Sequence, residues 1–204
     1  MSAPPRIIDA LESIIDIYFS GVRHRERAAF ILCDNLIEIT CKTKAKEINN
    51  KFEMKCDFRD AMNANGVKLR TIELGSRVKG YRDTRNNMQH SDIAATVDGQ
   101  YCATSIIDAV KVIDHCWQNT SRRQFSPWMR CALRIIRLYS SEGETSKRYL
   151  FEKKMQQMRW RISDRESVKI NAIQIEPGFR DYWLFAIRMR TPQVEECLNE
   201  FEIP

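Results

Sequence analysis

The chain has 204 residues, 43% of them apolar, with a net charge of +6, enough to bury a core as one large domain or as a medium domain with a small appendage. No apolar run approaches the ~18 residues a membrane span needs, and the start Met1-Ser2-Ala3-Pro4-Pro5 lacks the basic segment and apolar core of a secretory signal. A cytoplasmic chain with no membrane partner is expected, and because the seven cysteines (33, 41, 56, 102, 116, 131 and 197) form no Cys-x-x-Cys pair, they read as reduced structural thiols with no metal site or cofactor.

Pro4-Pro5 stands where a first helical turn tolerates proline, and Ile7, Ile8, Leu11, Ile14, Ile15 and Tyr18 then recur at helical spacing. Gly21 ends this helix. A second is expected from about Arg23 to Ile48, with Ala29, Leu32, Cys33, Leu36 and Ile39 inward. Its Lys42, Lys44 and Lys46 cluster near the C-terminal end, where the helix dipole favours cations. Two long helices with a short joint make an antiparallel pair, and His24 reads as an exposed residue at the start of the second. Further on, Phe52, Phe58 and Met62 suggest a short helix around 57–64, and Asn65-Gly66 a turn. Residues 67–81 read as a broken helix, because Gly75 and Gly80 interrupt the apolar series Val67, Leu69, Ile72, Leu74, Val78 and Tyr81.

Directly after that break comes Arg85-Asn86-Asn87-Met88-Gln89-His90. Histidine gives and takes protons near neutrality, and arginine is a permanent cation whose planar fork suits phosphate, so the pair points to phosphate chemistry. If Asp83 or Thr84 caps a helix here, Asn86 and His90 stand four residues apart on one face, with Arg85 on the flank. Arg85 would then lie at or near a helix N-terminus, where unsatisfied N–H groups also favour an anion.

Asp98-Gly99 opens another helix, with Cys102, Ile106, Ala109, Val110, Ile113, Cys116 and Trp117 on its apolar side, closing a bundle of four or five helices by about residue 120. His115, on its last turns, reads as a partner of the helix dipole. The pattern stops around 121–127, which places a boundary between residues 1–121 and 122–204. Ser126-Pro127 then starts a helix with Trp128, Cys131, Ala132, Ile135, Leu138 and Tyr139 inward, and Arg130, Arg134 and Arg137 on the opposite ridge. Phe151, Met155 and Met158 mark the next helix. From Glu166 the period changes to two, and Pro177-Gly178 with Tyr182–Met189 suggests a β-hairpin; Thr191-Pro192 begins a last helix carrying Val194, Leu198 and Phe201 inward. The expected fold class is therefore mainly α, a helical bundle followed by a small α+β module. Net charge is +1 over 1–121, +8 over 122–165 and −3 over 166–204. The local excess in the middle attracts polyanions, of which nucleic acid is the commonest in a cytosol, so the ridge Arg130, Arg134 and Arg137 is a candidate RNA contact.

The sequence Arg85-Asn86-x-x-x-His90 resembles the Arg-polar-x(3–5)-His signature of the HEPN ribonucleases, set among long apolar-periodic helices as that family's bundle requires. The resemblance covers roughly residues 5–120. It implies a helical bundle, pairing of two domains so that two motifs face each other, and attack of a ribose 2′-OH on its own phosphate. Carried over, Arg85 binds and stabilises the phosphate, Asn86 orients the site, and His90 is general acid or base. One motif per chain implies a homodimer or higher homo-oligomer. The family's biology implies a bacterial toxin or anti-phage defence system, with RNA as substrate and an antitoxin or defence-system partner. No clustered acidic set surrounds the motif, which favours a metal-independent reaction if the chain is a nuclease. Gly-rich phosphate loops, His-Glu-x-x-His helices and Gly-x-Ser-x-Gly elbows do not occur. A non-catalytic helical adaptor or RNA-binding module remains the alternative, with a DNA-binding regulator ranked lower because no clear helix-turn-helix stands out.

Overall fold

Proline at the first turn, a stripe of branched aliphatics and a terminal Ser20 build the first helix, α1 (Pro5–Phe19), whose Ile7, Leu11, Ile14, Ile15, Tyr18 and Phe19 are buried. The structure is a computed structural model that describes residues 2–69, 72–90, 97–155, 157, 187–188 and 190–204, with His90 described by its backbone alone. His24, in the left-handed region at φ 61°, turns the chain into α2 (Arg25–Ile48). The buried face of α2 follows Phe30, Cys33, Ile37, Cys41 and Ala45. Leu32 and Ile39, expected inward, are exposed by 37% and 45%, because they lie off the stripe that this helix turns towards α1 and α5.

The short α3 (Phe58–Asn63) is capped by Asp57, whose carboxylate accepts from the Arg59 N–H at 3.1 Å. Gly66, at φ +86°, makes the expected turn. Then α4 (Glu73–His90) runs alongside α2 and α5. The central helix is α5 (Gly99–Cys116), begun by Asp98, which accepts from the Tyr101 N–H at 2.7 Å. It is buried nearly all round, including Ser105 and Asp108. Cysteines from α2 and α5 adjoin across their interface, Cys41 beside Cys116 and Cys33 beside Cys102, and all seven are free thiols.

After the single turn α6 (Thr120–Arg123), Ser126 caps α7 (Pro127–Tyr139), accepting from the Met129 N–H at 3.5 Å. Helix α7 packs against α5 and α1, and the terminal helix Thr191–Glu200 packs against α7. One buried apolar cluster runs through the expected 1–121 bundle and the described part of 122–204, joining Ile7 and Ile106 to Ile135, Phe151 and Leu198. Gln124 and the Ala3 backbone exchange two hydrogen bonds of 2.8 and 2.9 Å, closing the chain start onto this junction.

The described residues are mainly helical, with 145–155 also in a helix. The hairpin expected within 166–189 lies outside the described residues except for Ile187 and Arg188. Those two are helical, not extended: Thr191 Oγ1 donates to the Ile187 carbonyl at 2.5 Å, a four-residue return that a strand does not make. No strand occurs among the described residues. Among them, too, no helix is long and apolar enough to cross a membrane.

Candidate functional site

Helix α4 carries the motif, and its continuity corrects two expectations. The helix is not broken at Gly75 or Gly80, and neither Asp83 nor Thr84 caps a new one. Glycine in a helix interior costs about 1 kcal/mol relative to alanine, and here that loss is offset by tertiary contacts. Leu74, Val78, Tyr81 and Met88 are buried, and ion pairs grip the helix from both sides. Arg85-Asn86-x-x-x-His90 consequently occupies the last turns of α4. The dipole there favours cations, and Arg27 uses it, donating to the Met88 carbonyl at 3.1 Å. Any phosphate at this end is drawn by guanidinium groups, not by helix N–H groups.

Asp34 of α2 organises the cations of α4. It sits at 1% exposure and accepts from Arg82 Nη1 at 2.6 Å; Arg82 Nη2 also binds Glu38. The Arg82 guanidinium lies 5.1 Å from the centre of the Phe58 ring, so apolar packing and two carboxylates fix one plane. Arg85 approaches the same carboxylate less closely, with Nε 3.9 Å from Asp34 Oδ2. That Nε is buried with no hydrogen-bond partner, while Nη1 donates to Asn86 Oδ1 at 3.4 Å. The Arg85 side chain is 23% exposed. Its head therefore retains access to an incoming anion. Burial raises the Asp34 carboxyl above its ordinary range, and Arg82 and Arg85 only partly oppose that. Glu38 is held below its ordinary range: burial works upward, but hydrogen bonds from Lys42 and Arg82 prevail.

On the other side of Arg82 a cavity of about 610 Å³ lies between α3 and α4, with Phe58, Arg59 and Met62 on one wall and Lys79, Arg82 and Asn86 on the other. Its volume is in the range that holds a small molecule or a nucleotide. Asn86 thus faces open space while its neighbour Arg85 faces Asp34. The helix brings Arg85, Asn86 and the His90 backbone together at one end of α4.

A second buried carboxylate escaped the sequence reading. Asp108 of α5 is fully buried and accepts from Arg77 at 2.7 and 3.0 Å, from the Tyr81 hydroxyl at 2.7 Å and from Lys111 at 3.1 Å. Burial alone would raise its carboxyl, yet these donors hold it below the ordinary range. The Tyr81 hydroxyl is pushed up, by burial first and then by Asp108. The signal that marks both carboxylates is a charged residue in the apolar phase of a helix: Asp34 follows Phe30 by four residues, and Asp108 lies within Ile106-Ile107-Asp108-Ala109.

The ridge on α7 is tied into the protein. Arg134 donates to the Ile203 carbonyl at 2.5 and 2.9 Å and to Asn199 Oδ1 at 2.9 Å, latching the terminal helix. Arg137 lies 3.6 Å from Glu142, and Arg130 donates to the Phe125 carbonyl at 3.0 Å. His115 Nε2 meets the Val67 carbonyl at 2.5 Å, which fastens the end of α5 to the turn before α4. Among the described residues no group of three or more His, Cys, Asp or Glu is placed to hold a metal ion. Comparison with protein-family models, with curated proteins and with solved structures found no match.

Proposed function

We propose that the chain is a metal-independent endoribonuclease of the HEPN type, acting as a homodimer in which two copies of the motif form a composite site. The observation that carries this reading is Arg85: a partly exposed guanidinium beside a buried carboxylate, hydrogen-bonded to Asn86, on the helix that ends in His90. In the proposed reaction the ribose 2′-oxygen attacks the adjacent phosphorus and the bond to the 5′-oxygen breaks. One proton leaves the 2′-hydroxyl and one reaches the 5′-oxygen. The products are a 2′,3′-cyclic phosphate and a 5′-hydroxyl. His90 supplies the general acid or base, and Arg85 stabilises charge on the phosphate oxygens. A bacterial toxin or anti-phage defence role, with an antitoxin or defence-system partner, follows from the same resemblance.

The test is purified protein on a panel of RNAs, with and without chelator. Cleavage that survives chelation, ends in cyclic phosphates and disappears in folded Arg85→Ala and His90→Ala variants is the expected result. Cleavage of a fully deoxy substrate, or unchanged cleavage by either variant, refutes it. A second reading, a non-catalytic helical adaptor or RNA-binding module, is favoured by the proximity of Arg85 to Asp34, which suits a structural cation. In that case no RNA on the panel is cleaved.

A further inference from the structure

The cavity between α3 and α4 holds a charge pattern that the motif does not use. We infer that it is the path of the single-stranded RNA leading to the scissile phosphate, with Arg59 and Lys79 as its phosphate contacts; this rests on the ribonuclease reading of Arg85 and His90. Ser76, Lys79, Asp83 and Asn86 recur at intervals of three and four residues along α4 and line the groove. Ten helical rises place its far end about 15 Å from Asn86. That is the length of a short single-stranded stretch.

The cations of the groove have different duties. Arg82 is committed to Asp34 and Glu38 and stacked on Phe58, so it is a fixed wall whose plane a base can stack against. Arg59 and Lys79 are exposed and make no ion pair among the described residues. They are the two groups free to exchange solvent for phosphate. Phe58 and Met62 give the groove an apolar floor. Of its two carboxylates, Asp57 is occupied in capping α3. Asp83 is exposed beside the path and repels a phosphate there. The groove ends at Asn86, whose side-chain oxygen accepts from Arg85, so a strand lying in it delivers its next phosphate to the motif.

The experiment uses the full chain silenced by His90→Ala, and reads fluorescence anisotropy of a short labelled single-stranded RNA over a series of salt concentrations. Adding Arg59→Gln and Lys79→Gln is expected to weaken binding and to lower the slope of log affinity against log salt by about 1.4, from about 0.7 per lost contact. Adding Asp83→Asn instead is expected to tighten binding. Each side chain is on the surface, so the melting temperature should not move, and that is measured alongside. Unaltered affinity and slope in the double variant overturns the inference, whatever Asp83→Asn does. So does an acidic peptide whose binding depends on Arg59 and Lys79 while RNA binding does not. Cleavage by the unsubstituted chain tests the ribonuclease reading separately: if it cleaves and the double variant binds as before, the groove alone is refuted. If it never cleaves but binding follows Arg59, Lys79 and Asp83, the groove is an RNA-binding site, and its role as a path to a scissile phosphate falls with the catalytic reading.

Discussion

Replacing Arg82 with alanine should destabilise the protein more than neutralising the carboxylate it binds. Asp34 is 1% exposed, whereas the Arg82 side chain is 20% exposed. Truncating one partner of a buried ion pair costs about 3–5 kcal/mol, because the remaining charge is left unpaired. Arg82→Ala abandons Asp34 to Arg85, whose Nε is 3.9 Å away, and partial compensation from that cation puts the loss near 3 kcal/mol, the lower end of that range. Asp34→Asn is milder. It keeps the shape, leaves Arg82 with Glu38 and solvent, and sacrifices a charged hydrogen bond for a neutral one, about 1 kcal/mol. At about 2–4 °C per kcal/mol for a chain of this size, the expected shifts in melting temperature are roughly 6–12 °C and 2–4 °C. The Asp34→Asn/Arg82→Ala double variant should be more stable than Arg82→Ala alone, since the orphaned charge is gone. The pH dependence adds a further check. Burial already raises the folded pKa of Asp34, and losing Arg82 raises it more. A carboxyl whose folded pKa exceeds its unfolded value holds a proton that the unfolded chain has released, so stability falls as pH climbs from about 3.9 to the folded pKa. The deficit of Arg82→Ala should therefore shrink in acid. Thermal and urea melts followed by circular dichroism at fixed protein concentration measure all of this. An Asp34→Asn loss equal to or larger than that of Arg82→Ala refutes the reasoning.

Asp108 has the opposite sign. Its folded carboxyl is depressed, so its stabilisation is complete above the ordinary aspartate range and is lost as pH falls through the folded pKa; the gap between wild type and Asp108→Asn in urea melts should narrow from neutral pH to pH ~3. Replacing Arg130, Arg134 and Arg137 together by glutamine should free the terminal helix to faster hydrogen exchange, while the salt slope of RNA binding falls by no more than the ~0.7 of one contact, since Arg134 is hydrogen-bonded and Arg137 is ion-paired within the chain. A larger drop would restore the ridge as an RNA contact. Light scattering of the active protein should give the mass of a dimer or higher homo-oligomer, and a strictly monomeric active enzyme contradicts the composite site.

The stripe of α1 and the caps Asp98 and Ser126 were legible because each is a local signal: periodicity, or a short polar side chain placed to receive the N–H three residues on. Leu32 and Ile39 misled because apolar residues on α2 extend beyond the face it buries, and only its neighbours decide which arc turns inward. Gly75 and Gly80 misled for a related reason. Helix propensity is a matter of about 1 kcal/mol, and contacts made by Arg77 and Arg82 with residues distant in sequence outweigh it. Those partners are invisible to a local reading. Asp34 and Asp108 were readable only as polar residues in apolar phase, an anomaly that indicates a buried bond without naming its partner. The motif was singled out for its chemistry, but its place on the helix was reversed, from its start to its end.

That reversal bears on how the site is held. Helix α4 is rich in charge and buries only a few apolar side chains, chiefly Leu74, Val78, Tyr81 and Met88. Such a helix gains little from apolar burial alone. It is fixed instead by two carboxylates buried on different helices: Asp108 of α5 holds Arg77 and Tyr81 in its first half, and Asp34 of α2 holds Arg82 one turn before Asn86. Directional bonds of this kind set the rotation of the helix about its axis, which nonspecific packing sets only loosely. Rotation decides whether Asn86 faces the cavity and Arg85 faces Asp34, or the reverse. The same bonds that stabilise α4 therefore position the motif, so a substitution at Asp108, which holds α4 through Arg77 and Tyr81 and not through Arg85, should lower the proposed RNA cleavage through the orientation of α4 even where the fold survives.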